Sequence, residues 1–513
     1  MKYSLGLELG STRIKAVLID DNFKIIAQGD YVWENKLVNG YWTYAMDDIH
    51  RGVKICFKNL LINYKKKYHK DLSRIDAMGV SGMMHGYLAF DKNDNLLVPF
   101  RTWRNTTTSK ASNKLTKVFN FNIPQRWSIA HLYQAILNEE KHINRIAYIT
   151  TLAGYIHYRL TGEHSVGIGE ASGIFPIDSR TNSYNQKMVN QFNNLIKGKV
   201  KWKLLDVLPK VKVAGEPAGK LTKEGAKFLG INFTNVKLCP CEGDAGTGMV
   251  ATNSIKVNTG NVSAGTSDFA MIVTNKQLGV HPEIDMVTTP TGNSVAMVHC
   301  NNCTSDINAW VNLFNEVIDL TGEKIDQGKL FTKLFNISLK GDKDANGLTS
   351  FNYYSGEGVT AIDKGKPLLI REPDAKFNLA NFMKMNIMSS LATLKIGLDI
   401  LTKQEKVAIN NIYGHGGLFK TPRVAQELLS AAINAPVSVL SSAGEGGPYG
   451  MAILANYLIN KGKNESLENY LTNRVFARTK ITTIKAKKED VIGFNQYMKR
   501  YLKYLPVEKE AIK

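Results

Sequence analysis

Leu7-Glu8-Leu9-Gly10-Ser11-Thr12-Arg13-Ile14-Lys15-Ala16-Val17-Leu18-Ile19 and Val262-Ser263-Ala264-Gly265-Thr266-Ser267-Asp268-Phe269-Ala270-Met271-Ile272-Val273 share one local grammar. Each reads as strand, tight glycine–hydroxyl turn, strand. The glycine tolerates positive φ and lets a ligand reach the backbone. The two residues after it add hydroxyls beside bared amides, a nest that suits anionic oxygen. One such turn says little. One in each half of a 513-residue chain predicts a duplicated phosphate clamp that closes on a nucleotide from both sides.

Around the first turn, Tyr3–Glu8, Ile14–Asp20 and Lys24–Val32 predict a β-meander, and Met46–Lys65 has helical spacing. Ile75–Val80 is a buried strand, followed by a hairpin over Leu88–Phe90 and Asp91–Leu97. Thr108–Leu160 is mainly helical with a break at Pro124. Thr222–Leu229 is a short helix, and Val236–Cys241 a strand that runs into Gly243-Asp244-Ala245-Gly246. Around the second turn the grammar repeats. Strands are predicted at Ser254–Asn258, Asn261–Val273, Ser294–His299 and from Asn411. Helices are predicted at Asp306–Leu320, Leu379–Thr402, Val424–Asn434 and Gly447–Lys461, with a helical tail after Lys480. The expected organisation is α/β, with an N-terminal domain over residues 1–252 and a C-terminal domain over 253–513.

A hydrophobic content of 43% suffices for a sizeable core. No apolar run reaches the roughly 18 residues of a membrane span. The first residues enter a strand with no basic-then-apolar leader, so the chain reads as soluble and cytoplasmic. The net charge of +20 invites a nucleic-acid reading, but the lysines are scattered. The densest runs, Lys65-Lys66-Lys67 and Lys485-Ala486-Lys487-Lys488, read as solvated surface, and neither a nucleic acid nor a membrane is an expected partner. Cys239-Pro240-Cys241 and Cys300-Asn301-Asn302-Cys303 read as buried reduced thiols, a four-thiolate zinc site being the alternative.

Several residues invite chemistry. Asp244 follows a buried strand, where open α/β sheets place their ligands. It reads equally as a general base for a substrate hydroxyl or as a helix N-cap. Glu8, inside an apolar strand, reads as a Mg²⁺ carboxylate or as a solvent-facing strand residue. Lys15 neutralises phosphate or simply faces outward. Met84 and His85 offer an apolar wall and a hydrogen-bonding ring to a small polar ligand, and Trp103 offers a sugar-stacking face; structural packing is the bland reading of all three. Gly414, Gly416 and Gly417 would admit a nucleobase or ribose.

Taken in order, these pieces resemble the FGGY carbohydrate kinases, the group that holds xylulokinase, ribulokinase, gluconokinase and glycerol kinase. The resemblance runs over about residues 3–462. It rests on Gly6–Thr12 with Lys15-Ala16, Val80–Gly86, Pro99–Asn105, Thr151–Tyr155 with Leu160-Thr161-Gly162, and Leu208-Pro209. Gly243–Gly246, Gly265-Thr266-Ser267, Gly414–Gly417 and Glu445–Ala452 complete it. It implies two actin-like, RNase H-like domains with a cleft between them, and ATP-dependent phosphorylation of an open-chain ketose or polyol with Mg²⁺. Asp244 matches the family's general base and Glu8, with Asp244, the carboxylates near the metal. Gly10, Ser11 and Thr12 match the first phosphate turn, and Gly265, Thr266 and Ser267 the second. Gly416 and Gly417 match the adenosine loop. Met84 and His85 match the sugar-contacting pair and are most like xylulokinase. Trp103 and Arg104 stand in the family's sugar-side loop. Dimers are common in such families.

Three positions depart from the family pattern. Glu8 replaces the usual Asp, which moves the carboxylate outward by about a bond length, roughly 1.5 Å. Arg104 puts a cation into the sugar loop, which favours an acidic substrate or a different ketose. Glu170 stands where Asp is common. The departure at Glu8 feeds an alternative, a catalytically weak sugar- or nucleotide-binding sensor on the same fold.

Overall fold

The computed structural model describes residues 2–441 and 446–513. Gly444 and Glu445, which stand at the start of the last motif, lie outside the described residues. The chain forms two compact units, one of Met1–Ile255, Asp285–Val295 and Glu445–Arg478, the other of Lys256–Ile284, Ala296–Gly444 and Thr479–Lys513. The expected cut at residue 252 thus misses two segments from the second half of the chain that fold with the first unit.

In the first unit, β1 (Ser4–Leu9), β2 (Arg13–Ile19) and β3 (Ile25–Val32) form the antiparallel meander that the alternation predicts. Leu5, Leu7, Leu9, Ile14, Ala16 and Leu18 are fully buried along it. Strand β4 (Ala77–Gly82) adds to the other edge of β1 in parallel, and β5 (Lys237–Leu238) and β6 (Glu242–Gly243) both run parallel to β4. The predicted strand Val236–Cys241 is therefore broken into two pieces flanking Cys239-Pro240-Cys241, because proline has no N–H to give a ladder. The Gly446–Asn460 helix closes one face of this sheet. A Cβ at Gly6 would lie 2.0 Å from the Pro448 carbonyl oxygen, and one at Gly450 2.0 Å from that of Thr247. Only glycine permits backbones this close, which explains how so distant a segment is fixed to β1 and to the Asp244–Ala251 helix.

The second unit repeats the plan. Strands β7 (Thr259–Ala264) and β8 (Asp268–Val273) form an antiparallel hairpin, with β9 (Ser294–Cys300) beyond β8. Strand β10 (Asn411–His415) lies parallel to β7, followed by β11 (Val437–Leu440) and the antiparallel β12 (Ile481–Ile484). In both units a hairpin carries the glycine–hydroxyl turn and a parallel strand flanks the hairpin's first strand.

Three expectations are corrected. Ser254–Asn258 is not a strand: the Ser254 amide and hydroxyl both donate to the Met249 carbonyl and close the preceding helix. Leu88–Phe90 pairs with Tyr148–Thr150, and only a single bridge, Phe90 to Leu96, joins it to the next stretch. There the Asp91 carboxylate accepts the Asn93 and Asn95 amides and curls the chain instead. The tail after Lys480 starts with β12, and its helix begins only at Lys488. Among the described residues, no helix is long and apolar enough to cross a membrane.

Candidate active site

Three strands of the first unit end level with one another. Leu9 pairs with Gly82, and Gly82 with Gly243. The chain leaving each end carries chemistry: Gly10-Ser11-Thr12 after β1, Met83-Met84-His85 after β4, and Asp244 after β6. Open α/β sheets bind their ligands outside strand carboxyl ends such as these.

Asp244 is the first residue of the Asp244–Ala251 helix, whose N-cap is Gly243 with no side-chain cap bond. It does not occupy the capping position. Its Oδ1 accepts the amides of Ala245 (3.0 Å) and Met84 (3.4 Å), so the carboxylate is fixed across to the chain leaving β4. Burial pushes its pKa up to about 6, against which those amides pull. A carboxylate of that pKa is mostly ionised at neutral pH and more basic than a free one.

Glu8 stands beside it. Burial, then the charge of Asp244, push the Glu8 pKa up to about 8, while Lys15 pulls it down. Lys15 is the residue opposite Glu8 in the β1–β2 ladder. The solvent-facing reading of Glu8 fails, because its Oε2 is out of solvent and makes no hydrogen bond. A Cβ at Gly447 would lie 1.7 Å from that oxygen, so the Glu8 carboxylate occupies the space that Gly447 leaves. An orphaned, partly ionised carboxylate beside a second one fits a divalent cation that takes most of its remaining ligands from phosphate and water. Among the described residues, no group of three or more metal-ligating side chains occurs, so the protein offers such an ion two carboxylates at most here.

Two further acids lie behind Asp244. Glu242 is buried, and its Oε2 accepts the Glu170 amide at 3.0 Å. Its pKa is raised to about 8 by burial, and Glu170, also buried, is raised well above the carboxylate range by burial. Glu170 was visible in sequence only as a departure. Glu242 carried no signal, since a lone acid next to Gly243 looks like a turn residue.

His85 has φ 69°, a left-handed conformation uncommon for a non-glycine residue, and its Nδ1 lies 3.2 Å from the Gly173 carbonyl oxygen. Strain of this kind clusters at functional sites. Trp103 is half-buried and Arg104 exposed; the Arg104 guanidinium lies 3.9 Å from the ring centre of Trp42. Asn105 grips the Trp42 backbone from both sides, its Oδ1 accepting the amide and its Nδ2 donating to the carbonyl.

The two turns share a device that their sequences do not announce. At the first, Trp33 Nε1 donates to the Gly10 carbonyl (2.7 Å), the Tyr44 hydroxyl to that of Ser11 (2.5 Å) and the Trp33 amide to that of Thr12 (3.2 Å). At the second, the Thr304 amide and hydroxyl donate to Gly265 O and the Cys303 amide to Thr266 O. Carbonyls are tied back, while Ser11, Thr12 and Thr266 remain exposed. Neither Gly10 nor Gly265 takes the positive φ that glycine tolerates. A Cβ at Gly10 would lie 3.0 Å from Arg13 O, whereas one at Gly265 meets nothing closer than 3.9 Å. Gly416 does have positive φ (96°) and lies so close to Ala264 that a Cβ would be 2.4 Å from its carbonyl oxygen, while Gly417 faces open space.

Family models agree with this architecture. The N-terminal domain of the FGGY family of carbohydrate kinases matches residues 3–251 and its C-terminal domain residues 260–459. The chain belongs to the FGGY family of carbohydrate kinases: it is a carbohydrate kinase of two α/β, actin-like domains. It is 24% identical over 483 residues to a xylulose kinase of Haemophilus influenzae, covering 90% of this chain and 92% of that one. Its fold matches a crystal structure of a xyloylose kinase from Brucella ovis, with TM-score 0.78, 17% identity and 100% of both chains covered. A gluconate kinase structure from Lactobacillus acidophilus matches equally well, with TM-score 0.78, 17% identity and 99% and 98% covered.

Proposed function

We propose that this kinase transfers the γ-phosphoryl group of ATP to a hydroxyl of an open-chain ketose or a related sugar, with Asp244 as the general base. The carrying observation is the Asp244 carboxylate, locked at the level strand ends beside Met84 and poised with a pKa of about 6. Phosphoryl transfer asks a protein mainly for positioning and charge neutralisation. Met84, His85, Trp103 and Arg104 are assigned to the sugar. Gly10, Ser11, Thr12 and Lys15 in the first unit, and Gly265, Thr266 and Ser267 in the second, are assigned to phosphate. Gly416 and Gly417 are assigned to the adenosine. Glu8 and Asp244 would hold Mg²⁺, which when bound offsets phosphate charge.

The similarity to xylulose kinases favours a ketose. The Arg104–Trp42 platform keeps acidic sugars among the candidates. An ADP-release assay across ketoses, polyols and aldonates identifies the acceptor. The Asp244→Asn variant is expected to lose about 10²–10⁴-fold in turnover while binding ATP nearly as before. Retention of most turnover would end the assignment of the base. A sensor would bind a sugar from the same panel without releasing ADP, a reading that the kinase relatives do not favour.

A further inference from the structure

The donors that tie back the second turn are themselves held by one carboxylate. Glu357, only 1% exposed, sits in the loop after a short strand, Leu348–Phe351. Its Oε2 accepts three N–H groups, the amides of Asn301 (2.9 Å) and Asn302 (3.3 Å) and the Asn302 side-chain Nδ2 (3.2 Å). The Asn302 Oδ1 in turn accepts the Tyr354 and Ser355 amides at 2.8 and 3.0 Å. One and two residues on, Cys303 and Thr304 deliver the bonds to Thr266 O and Gly265 O. The path from Glu357 to the turn is thus an unbroken run of hydrogen bonds and two peptide units, all inside the second unit.

We propose that Glu357 is a positioning residue for nucleotide phosphate. By pinning Asn301-Asn302 it fixes Cys303-Thr304, which hold the carbonyls of Gly265 and Thr266 turned away, leaving the hydroxyl side of the turn to the anion. This rests on the reading of Gly265-Thr266-Ser267 as a phosphate turn. An anion has a specific advantage here: three donors converge on one oxygen, and hydrogen bonds to an ionised acceptor are shorter and stronger than neutral ones. Glutamine in its place would keep the acceptor that faces the three donors but lose its charge, and would bury an NH₂ group where Oε1 has no hydrogen-bond partner.

The test measures the affinities of ADP and adenosine for the full chain by calorimetry. In Glu357→Gln, ADP affinity is expected to fall ~10-fold, and in the milder Thr304→Val ~3-fold, with adenosine unchanged in both. Gly265→Val is the direct control, since its side chain would enter open space and stand where phosphate is assigned. If Gly265→Val weakens ADP but Glu357→Gln and Thr304→Val do not, the positioning role is wrong and the phosphate turn stands. If Gly265→Val leaves ADP affinity intact, the phosphate reading falls and the positioning role with it. Equal loss of ADP and adenosine in Glu357→Gln and Thr304→Val would mark general damage to the unit and overturn the specific role.

Discussion

The two glycine–hydroxyl turns look alike in sequence and are braced by opposite means. The first is held from behind by neutral donors on aromatic bodies: Trp33 and Tyr44 stack with ring centres 4.2 Å apart, and their polar ends reach the carbonyls of Gly10 and Ser11. The second is held by a loop whose position depends on an ionised acid, Glu357. The first brace is buried apolar surface with two hydrogen bonds added, so its strength should be insensitive to pH. The second concentrates three charge-assisted bonds on a carboxylate that burial disfavours, so it is strong only while Glu357 is ionised.

The largest expected contrast comes from adding the same side chain to both turns. Gly265→Val meets open space and should cost nucleotide affinity, on the order of 100-fold or about 2.7 kcal/mol, with little change in melting temperature. Gly10→Val presses on the Arg13 carbonyl at 3.0 Å and should cost the fold about 1–3 kcal/mol, seen as a fall of several degrees in melting temperature. Similar melting losses in both would show that the second turn has no more room than the first. Next in size is Tyr44→Phe, which keeps the stack and removes one donor. Leaving Ser11 O without its bond should cost about 1–2 kcal/mol and raise the KM for ATP ~10-fold. An unchanged KM would mean that the stack alone shapes the turn.

The turns themselves were legible in sequence, and so were the meander, most helices and the place of Asp244 after a strand, because local period and glycine punctuation report local structure. What holds the turns was not. Trp33, Tyr44, Thr304 and Glu357 act through contacts spanning tens of residues, and no periodicity marks a side chain whose partner is a distant carbonyl. The same limit hid the Gly446–Asn460 helix as part of the first unit, although the glycines that admit it, Gly6 and Gly450, are both motif positions. The motifs gave them no role, and the structure gives them a packing reason. Gly416 divides from Gly417 in the same way. Gly10 and Gly265 do not use the positive φ that glycine tolerates. Glycine also serves where space is needed, and at Gly265 the space is what matters.

A smaller contrast is expected from pH. Burial raises the Glu357 pKa, and Tyr44 is pushed up to about 12, so of the two braces only the second holds a carboxylate that loses its charge as pH falls. A carboxyl whose pKa rises on folding stabilises the fold at low pH and loses that contribution as pH climbs through its folded value, about 1.4 kcal/mol for every tenfold change in its proton affinity. The binding consequence runs the other way, since the loop is pinned only by the anion. Wild-type protein should therefore lose ADP affinity several-fold as pH falls through the raised Glu357 pKa, relative to Glu357→Gln at each pH. Asp244 and Glu8 titrate in both proteins and cancel in that ratio. Buried Asp268, whose pKa burial and then the Glu357 charge raise, shifts with the substitution, so the slope belongs to the Glu357–Asp268 pair. Tyr44→Phe should track wild type; if it shares the altered slope of Glu357→Gln, the division between a neutral and an ionised brace is wrong.

The finest comparison sets Thr304→Val against Tyr44→Phe. Each removes one hydroxyl that donates to a turn carbonyl, at 2.7 Å and 2.5 Å respectively. Gly265 O retains a second donor, the Thr304 amide at 3.1 Å, so the loss there leaves no orphaned acceptor. Losing one of two bonds costs less than baring a carbonyl, which predicts ~3-fold for Thr304→Val against ~10-fold for Tyr44→Phe in the KM for ATP. The ratio is the informative quantity, because both variants keep the local shape and neither changes charge. Equal effects would mean that the amide of Thr304 contributes nothing alone, and that the second turn depends on side-chain donors as fully as the first.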